Sequence, residues 1–170
     1  SMTAAFEKGE PVTLPSANTI ADGTAVKRVG ETIFPYCKEN IHKIITVDDN
    51  ELIGAFLDMV ENHKMIVENS GLLPVAALSH LDLKDKKAVV VLSGGNMDVI
   101  TMSSIVQHGL IQKDRIFSVS VLLPDKAGEL VKVASIIAKE KGNVIKLEHN
   151  QFVSINRINA VELRVTMEAY

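Results

Sequence analysis

The run Ala88-Val89-Val90-Val91-Leu92 constrains this chain most: five consecutive apolar residues leave no face for water, and Ser93-Gly94-Gly95-Asn96 follows at once. Such a run suits a strand covered on both sides. A helix through Ile100 and Ile105, stopping near Gly109, is expected after the glycines. Two similar cycles precede it. Lys43 to Val47 (KIITV) predicts a strand, and Asp48 with Glu51 has the spacing of a capping box that opens a helix with the stripe Leu52, Phe56, Met59, Val60 and His63. Met65 to Val67 then predicts a short strand, and Gly71 to Leu81 a helix of small residues. Strands alternating with helices predict an α/β fold built on an open parallel sheet. Ligands in such sheets sit beyond the carboxyl ends of the strands, which directs attention to Ser93–Asn96.

Upstream, Ser1 to Gly9 reads as the end of a helix stopped by glycine, so the chain is expected to be a piece of a longer one. Glu10 to Gly30, rich in proline, glycine and small polar residues, reads as a long ordered loop of the kind that carries function. A short helix with Pro35 in its first turn should follow.

The pattern changes after Gly109. Phe117, Val119 and Val121 alternate with Ser118 and Ser120 as in a strand with one face on a core. Leu130, Val133, Ala134, Ile137 and Ala138 have helical spacing up to Gly142, Ile145 and Leu147 give a weaker strand, and Val161, Leu163, Val165 and Met167 alternate almost perfectly. The order βαββ is the first part of a ferredoxin-like module. A further helix and strand would complete it, so this domain is expected to be cut short, with Val161–Met167 presenting an open edge.

Charge and composition narrow the function. Eighteen basic and 21 acidic side chains, net −3, form no cationic stripe, so nucleic acid and anionic membrane surfaces are not expected as partners. No apolar run approaches the roughly 20 residues of a membrane span, and a cytoplasmic location is expected. The lone Cys37 cannot form an internal disulfide and has no ligand spacing around it, so no metal site is assigned. The five histidines show no paired spacing and read as surface or packing residues.

Ser93–Asn96 is either a tight strand-to-helix turn or a place where glycines let the backbone approach a planar ligand. Taken with Thr19-Ile20-Ala21-Asp22-Gly23 and Glu68-Asn69-Ser70-Gly71, the turn resembles the C-terminal half of the fold-type II pyridoxal-phosphate enzymes, most of all the threonine dehydratases, with serine dehydratases and serine racemases as near relatives. The resemblance covers residues 1–112 and implies pyridoxal phosphate as cofactor. It implies that Ser93 hydrogen-bonds the pyridine nitrogen, with Gly94 beside it, that Glu68 lines the site, and that Gly23 passes near the ring. A serine there, rather than a carboxylate, leaves the ring a weaker electron sink and favours loss of water from threonine, giving 2-oxobutanoate and ammonia. The family's serine-phenylalanine-lysine motif and its phosphate loop are absent, so no catalytic residue is assigned and the chain alone is expected to be inactive.

Pro124-Asp125-Lys126-Ala127-Gly128-Glu129-Leu130 is either a turn with Asp125 capping the next helix, or a ligand loop. In its βαββ frame it resembles the loop of ACT domains over residues 113–170, which implies an amino-acid effector at Asp125, Gly128, Glu129 and Asn143. The expected parent protein is thus a regulated lyase acting on threonine, with serine as a second candidate substrate, and a homo-oligomer with small-molecule substrate and effector. The alternatives are a non-catalytic amino-acid-binding regulatory fragment, or a serine racemase or dehydratase.

Overall fold

The computed structural model describes residues 1–150 and 160–169. The chain divides into two compact units, Ser1–Val106 and Gln107–Tyr170.

The first unit is built on helices. Helix α1 (Met2–Lys8) ends at Gly9 in the left-handed conformation, φ 81°, as a C-terminal glycine should. Helix α2 (Ile33–Asn40) carries Pro35 in its first turn. Helix α3 (Asp49–Asp58) opens on the expected capping box: the Asp48 carboxylate accepts from the Glu51 N–H at 2.9 Å, and the Asp48 N–H donates to Glu51 Oε2 at 2.7 Å. Glu51 Oε1 also lies 2.6 Å from His80 Nε2, joining the start of α3 to the turn after α4 (Asn69–Ala76). Leu52, Phe56 and Met59 are buried with Leu72, Ala76 and Ile105 in one core. Complete burial of a side chain the size of Phe56 or Leu52 contributes about 1.5–3 kcal/mol. The stripe fails at His63, which is exposed: from Met59 to His63 the helix widens into a π turn, and the extra residue per turn rotates His63 off the buried face.

The parallel sheet expected here is not formed. Lys43–Val47, Met65–Val67 and Ala88–Leu92 are not strands, and the first unit's described residues contain only an isolated antiparallel bridge between Thr13 and Arg28. A strand is a ladder of bonds to a neighbour. The second and third segments meet instead through the Glu68 N–H, which donates to the Gly94 carbonyl at 3.3 Å. Val89 and Val91, read as doubly covered, are 93% and 71% exposed.

Helix α5 (Val99–Gln112) crosses the division between the units. The second unit follows the βαββ order, with β1 (Ile116–Pro124), α6 (Glu129–Lys139), β2 (Asn143–Asn150) and β3 (Ala160–Glu168). Its sheet has the order β1-β3-β2 with both pairs antiparallel, so β1 and β2 run parallel on either side of β3. Val161, Leu163, Val165 and Met167 are buried, and Leu163, Val165 and Met167 pack with Val133 and Ile137 of α6. The opposite face is polar, with Ser118 and Thr166 hydroxyls 2.8 Å apart and Lys146 Nζ 2.7 Å from Glu148. Strand β3 is central rather than an open edge: the alternation that marks one buried face says nothing about which backbone edges are paired.

Candidate functional site

Three separated segments meet at the start of α4. Glu68 precedes the helix in extended conformation, and its half-buried carboxylate lies against the backbone of Gly94. Gly94 has φ +77°, and a Cβ built on it would fall within the Glu68 carboxylate, which leaves glycine as the residue that fits. On the other side, a Cβ on Gly23 would lie 2.8 Å from Ser70 Oγ and 4.0 Å from Glu68 Oε1. Gly71 completes the contact, since a Cβ there would overlap the Ser93 carbonyl oxygen. Gly23, Glu68 and Gly94, singled out separately in sequence, are thus neighbours, and Ser93 is the exposed residue immediately before Gly94.

The loop from Thr19 to Gly23 is fastened in place. Asp49, in the first turn of α3, accepts from the Thr19 hydroxyl at 2.5 Å and from the Ile20 N–H at 3.3 Å. The Asn69 side chain donates to the Ile20 carbonyl at 2.9 Å. These ties escape sequence reading because their partners stand 29, 30 and 49 residues apart. A cleft of about 300 Å³ opens here, lined by Thr19, Asp22, Glu68, Asn69, Asn96 and Asp98 among others. The Thr101 side chain and N–H, together with the Ile100 N–H, hold the exposed Asp98 carboxyl below the usual carboxylate range. Asp98 is therefore an anion at neutral pH.

In the second unit the proposed effector residues separate into two places. Gly128, φ 93°, stands before α6, and nothing lies within 4 Å of a Cβ built on it. Glu129 pairs with Lys132 at 2.7 Å. Asp125 does not cap α6: the cap position is Gly128, three residues later, and no side chain bonds there. Asn143 opens β2 opposite Glu168, whereas Asp125 follows the Pro124 end of β1, which pairs with Ala160. At roughly 3.3 Å per residue, the eight-residue step along β3 puts those ends about 26 Å apart, so one unit does not bring Asn143 to the Asp125–Glu129 loop.

Residues 1–94 match the family model described as "Pyridoxal-phosphate dependent enzyme". The chain belongs to that family. L-threonine ammonia-lyase of Geobacter sulfurreducens is 34% identical over 165 residues, covering 96% of this chain and 41% of the relative. The chain therefore spans about two fifths of that relative's length. The structure of the processed form of threonine deaminase isoform 2 from Solanum lycopersicum superposes with a TM-score of 0.56 at 29% identity, over 63% of this chain and 32% of that one. Maize serine racemase gives 0.53 at 30% identity, over 63% and 36%.

The family's cofactor is pyridoxal phosphate. The site suits a planar group with polar edges. Asn69 Oδ1 and Ser70 Oγ are buried without a hydrogen-bond partner, and such atoms mark a place for a further polar ligand. Gly23 and Gly94 keep side chains away from both flanks of Glu68.

Proposed function

We propose that this chain supplies part of the cofactor site, and a regulatory unit, of a pyridoxal-phosphate-dependent lyase that converts L-threonine, with L-serine as a second candidate substrate, to the 2-oxo acid and ammonia. The observation that carries the reading is the meeting of Gly23, Glu68 and Gly94 in a chain 34% identical to an L-threonine ammonia-lyase. When bound, pyridoxal phosphate supplies the electron sink that labilises bonds at the substrate's α-carbon. Ser93 offers the ring nitrogen a hydroxyl, which adds no negative charge of its own. Glu68 holds a carboxylate at the site edge, and Gly23 and Gly94 leave room for the ring. A cytoplasmic location fits this role.

The test is to express the complete reading frame with pyridoxal phosphate and L-threonine and to measure 2-oxobutanoate and ammonia. Release of both supports the lyase. D-amino acid without keto acid would favour a racemase, the second reading, which rests on the likeness to maize serine racemase. Neither product, with amino-acid binding retained, would leave the non-catalytic regulatory role.

The second unit is read as an ACT-like module on its βαββ order and on Asp125, Gly128 and Glu129 around the turn into α6. Amide N–H groups at the helix start suit an effector carboxylate. Titration calorimetry of the full-length enzyme against the common amino acids is expected to show heat for at least one, weakened about tenfold or more by Gly128→Val, which strains a backbone at φ 93°. No heat and no kinetic response to any of them would remove the effector assignment. Asn143, at the opposite end of β3 from that loop, takes part only where paired modules bring it to a neighbouring loop.

Self-association is also expected, because Val89 and Val91 stand in water and β1 and β2 each have an unpaired edge within the described sheet. Sedimentation should show concentration-dependent mass for the 170-residue chain, reduced when Val89 and Val91 are both replaced by lysine. A monomer at all concentrations would count against it.

A further inference from the structure

Ile20 is gripped through both of its backbone polar groups, from the first turns of two helices. Asp49 of α3 takes its N–H, and Asn69 of α4 donates to its carbonyl at 2.9 Å. Asn69 is 6% exposed, and its Oδ1 has no partner. The orientation of the amide follows from the contact: turned over, it would set Oδ1 against the Ile20 carbonyl oxygen, two acceptors with no proton between them. The donor therefore holds the loop, and the oxygen is left for another group. Ser70 Oγ, equally buried and unpartnered, is the next residue along. Gly23, whose backbone packs on Ser70 beside Glu68, stands only three positions after Ile20 in the chain. A shift of Ile20 is transmitted directly to that contact.

We propose that Asn69 is a positioning residue for the cofactor site: its buried amide pins the Thr19–Gly23 loop to the start of α4 and so fixes Gly23 against Ser70 and Glu68. The inference rests on the pyridoxal-phosphate reading above. Asn69 acts through its N–H on the loop, so its effect should appear in how the cofactor is held.

The experiment uses the product of the complete reading frame and its Asn69→Asp and Asn69→Gln variants, with pyridoxal phosphate as the probe. Asn69→Asp keeps the volume, removes the donor and sets a carboxylate against the Ile20 carbonyl. Its dissociation constant for pyridoxal phosphate should rise about tenfold. The absorbance band of the bound cofactor should shift, and amide exchange over Ile20–Thr24 should quicken while that of β3 is unchanged. Asn69→Gln, which retains an N–H donor, should recover part of the affinity. If Asn69→Asp does not fold, Asp49→Ala releases the same loop from its other side and should reproduce the weaker binding and faster exchange. Unchanged cofactor affinity and unchanged exchange over Ile20–Thr24, in whichever of these variants folds, overturn the proposal while leaving the family reading intact. A wild-type protein that takes up no pyridoxal phosphate overturns the functional reading, and this proposal with it.

Discussion

Gly71→Ala is expected to destabilise the first unit by about 3 kcal/mol or more. The added Cβ would overlap the Ser93 carbonyl oxygen and lie 2.8 Å from its carbon and 2.9 Å from Val67 Cγ1. Two of the three obstacles are backbone, which cannot rotate away, and Val67 is itself buried at 3% exposure. Relief requires the Ser93–Gly94 segment to move off α4, which breaks the contact between Gly94 and Glu68. Loss of stability and loss of the site should therefore arrive together. Gly54→Ala is the control. Gly54 lies within α3 with nothing within 4 Å of a built Cβ, so alanine there should stabilise the helix by roughly 0.5–1 kcal/mol. Thermal unfolding of the two variants should move the midpoint in opposite directions. Equal midpoints would mean that Gly71 does not pack against Ser93 in solution.

Ser93→Asp and Ser93→Ala are expected to differ in kind. On the lyase reading proposed above, aspartate in the full-length protein would place an anion where the family resemblance puts the pyridine nitrogen, and an anion favours the protonated partner beside it. A protonated ring would be a deeper electron sink, which would favour return of a proton to the α-carbon over loss of water. Release of 2-oxobutanoate should fall about 10²-fold, and exchange of the α-proton with solvent should rise relative to it. Alanine removes the hydroxyl without adding charge, so both rates should fall together. The exposed position of Ser93 leaves room for the larger side chain. Measuring both rates on cofactor-loaded protein separates this effect from poor loading. An unchanged ratio in a folded, loaded Ser93→Asp enzyme would leave Ser93–Gly94 with only its turn geometry to explain.

What was legible in the sequence was local or periodic. Asp48 and Glu51 announce their capping box because both partners lie within one helical turn, and Gly9 ends α1 for a reason contained in its own backbone. The alternation from Val161 to Met167 predicted a one-sided strand, because side chains of a strand point to its two faces in turn. Long-range pairing was not legible. Ala88–Leu92 has strand composition, yet composition cannot supply the neighbouring backbone that a ladder needs, and Val89 and Val91 are exposed. The same limit hid the central place of β3 and the distance of Asn143 from Asp125. At the candidate site, sequence marked Gly23, Glu68, Ser93 and Gly94 as members of separate motifs. Only the tertiary structure decided that Gly94 lies on the Glu68 carboxylate, that Gly71 abuts the Ser93 carbonyl, and that Asn69 holds Ile20. Those contacts depend on how helices α3 and α4 pack through Leu52, Phe56 and Leu72, a property of the whole core that no single segment carries.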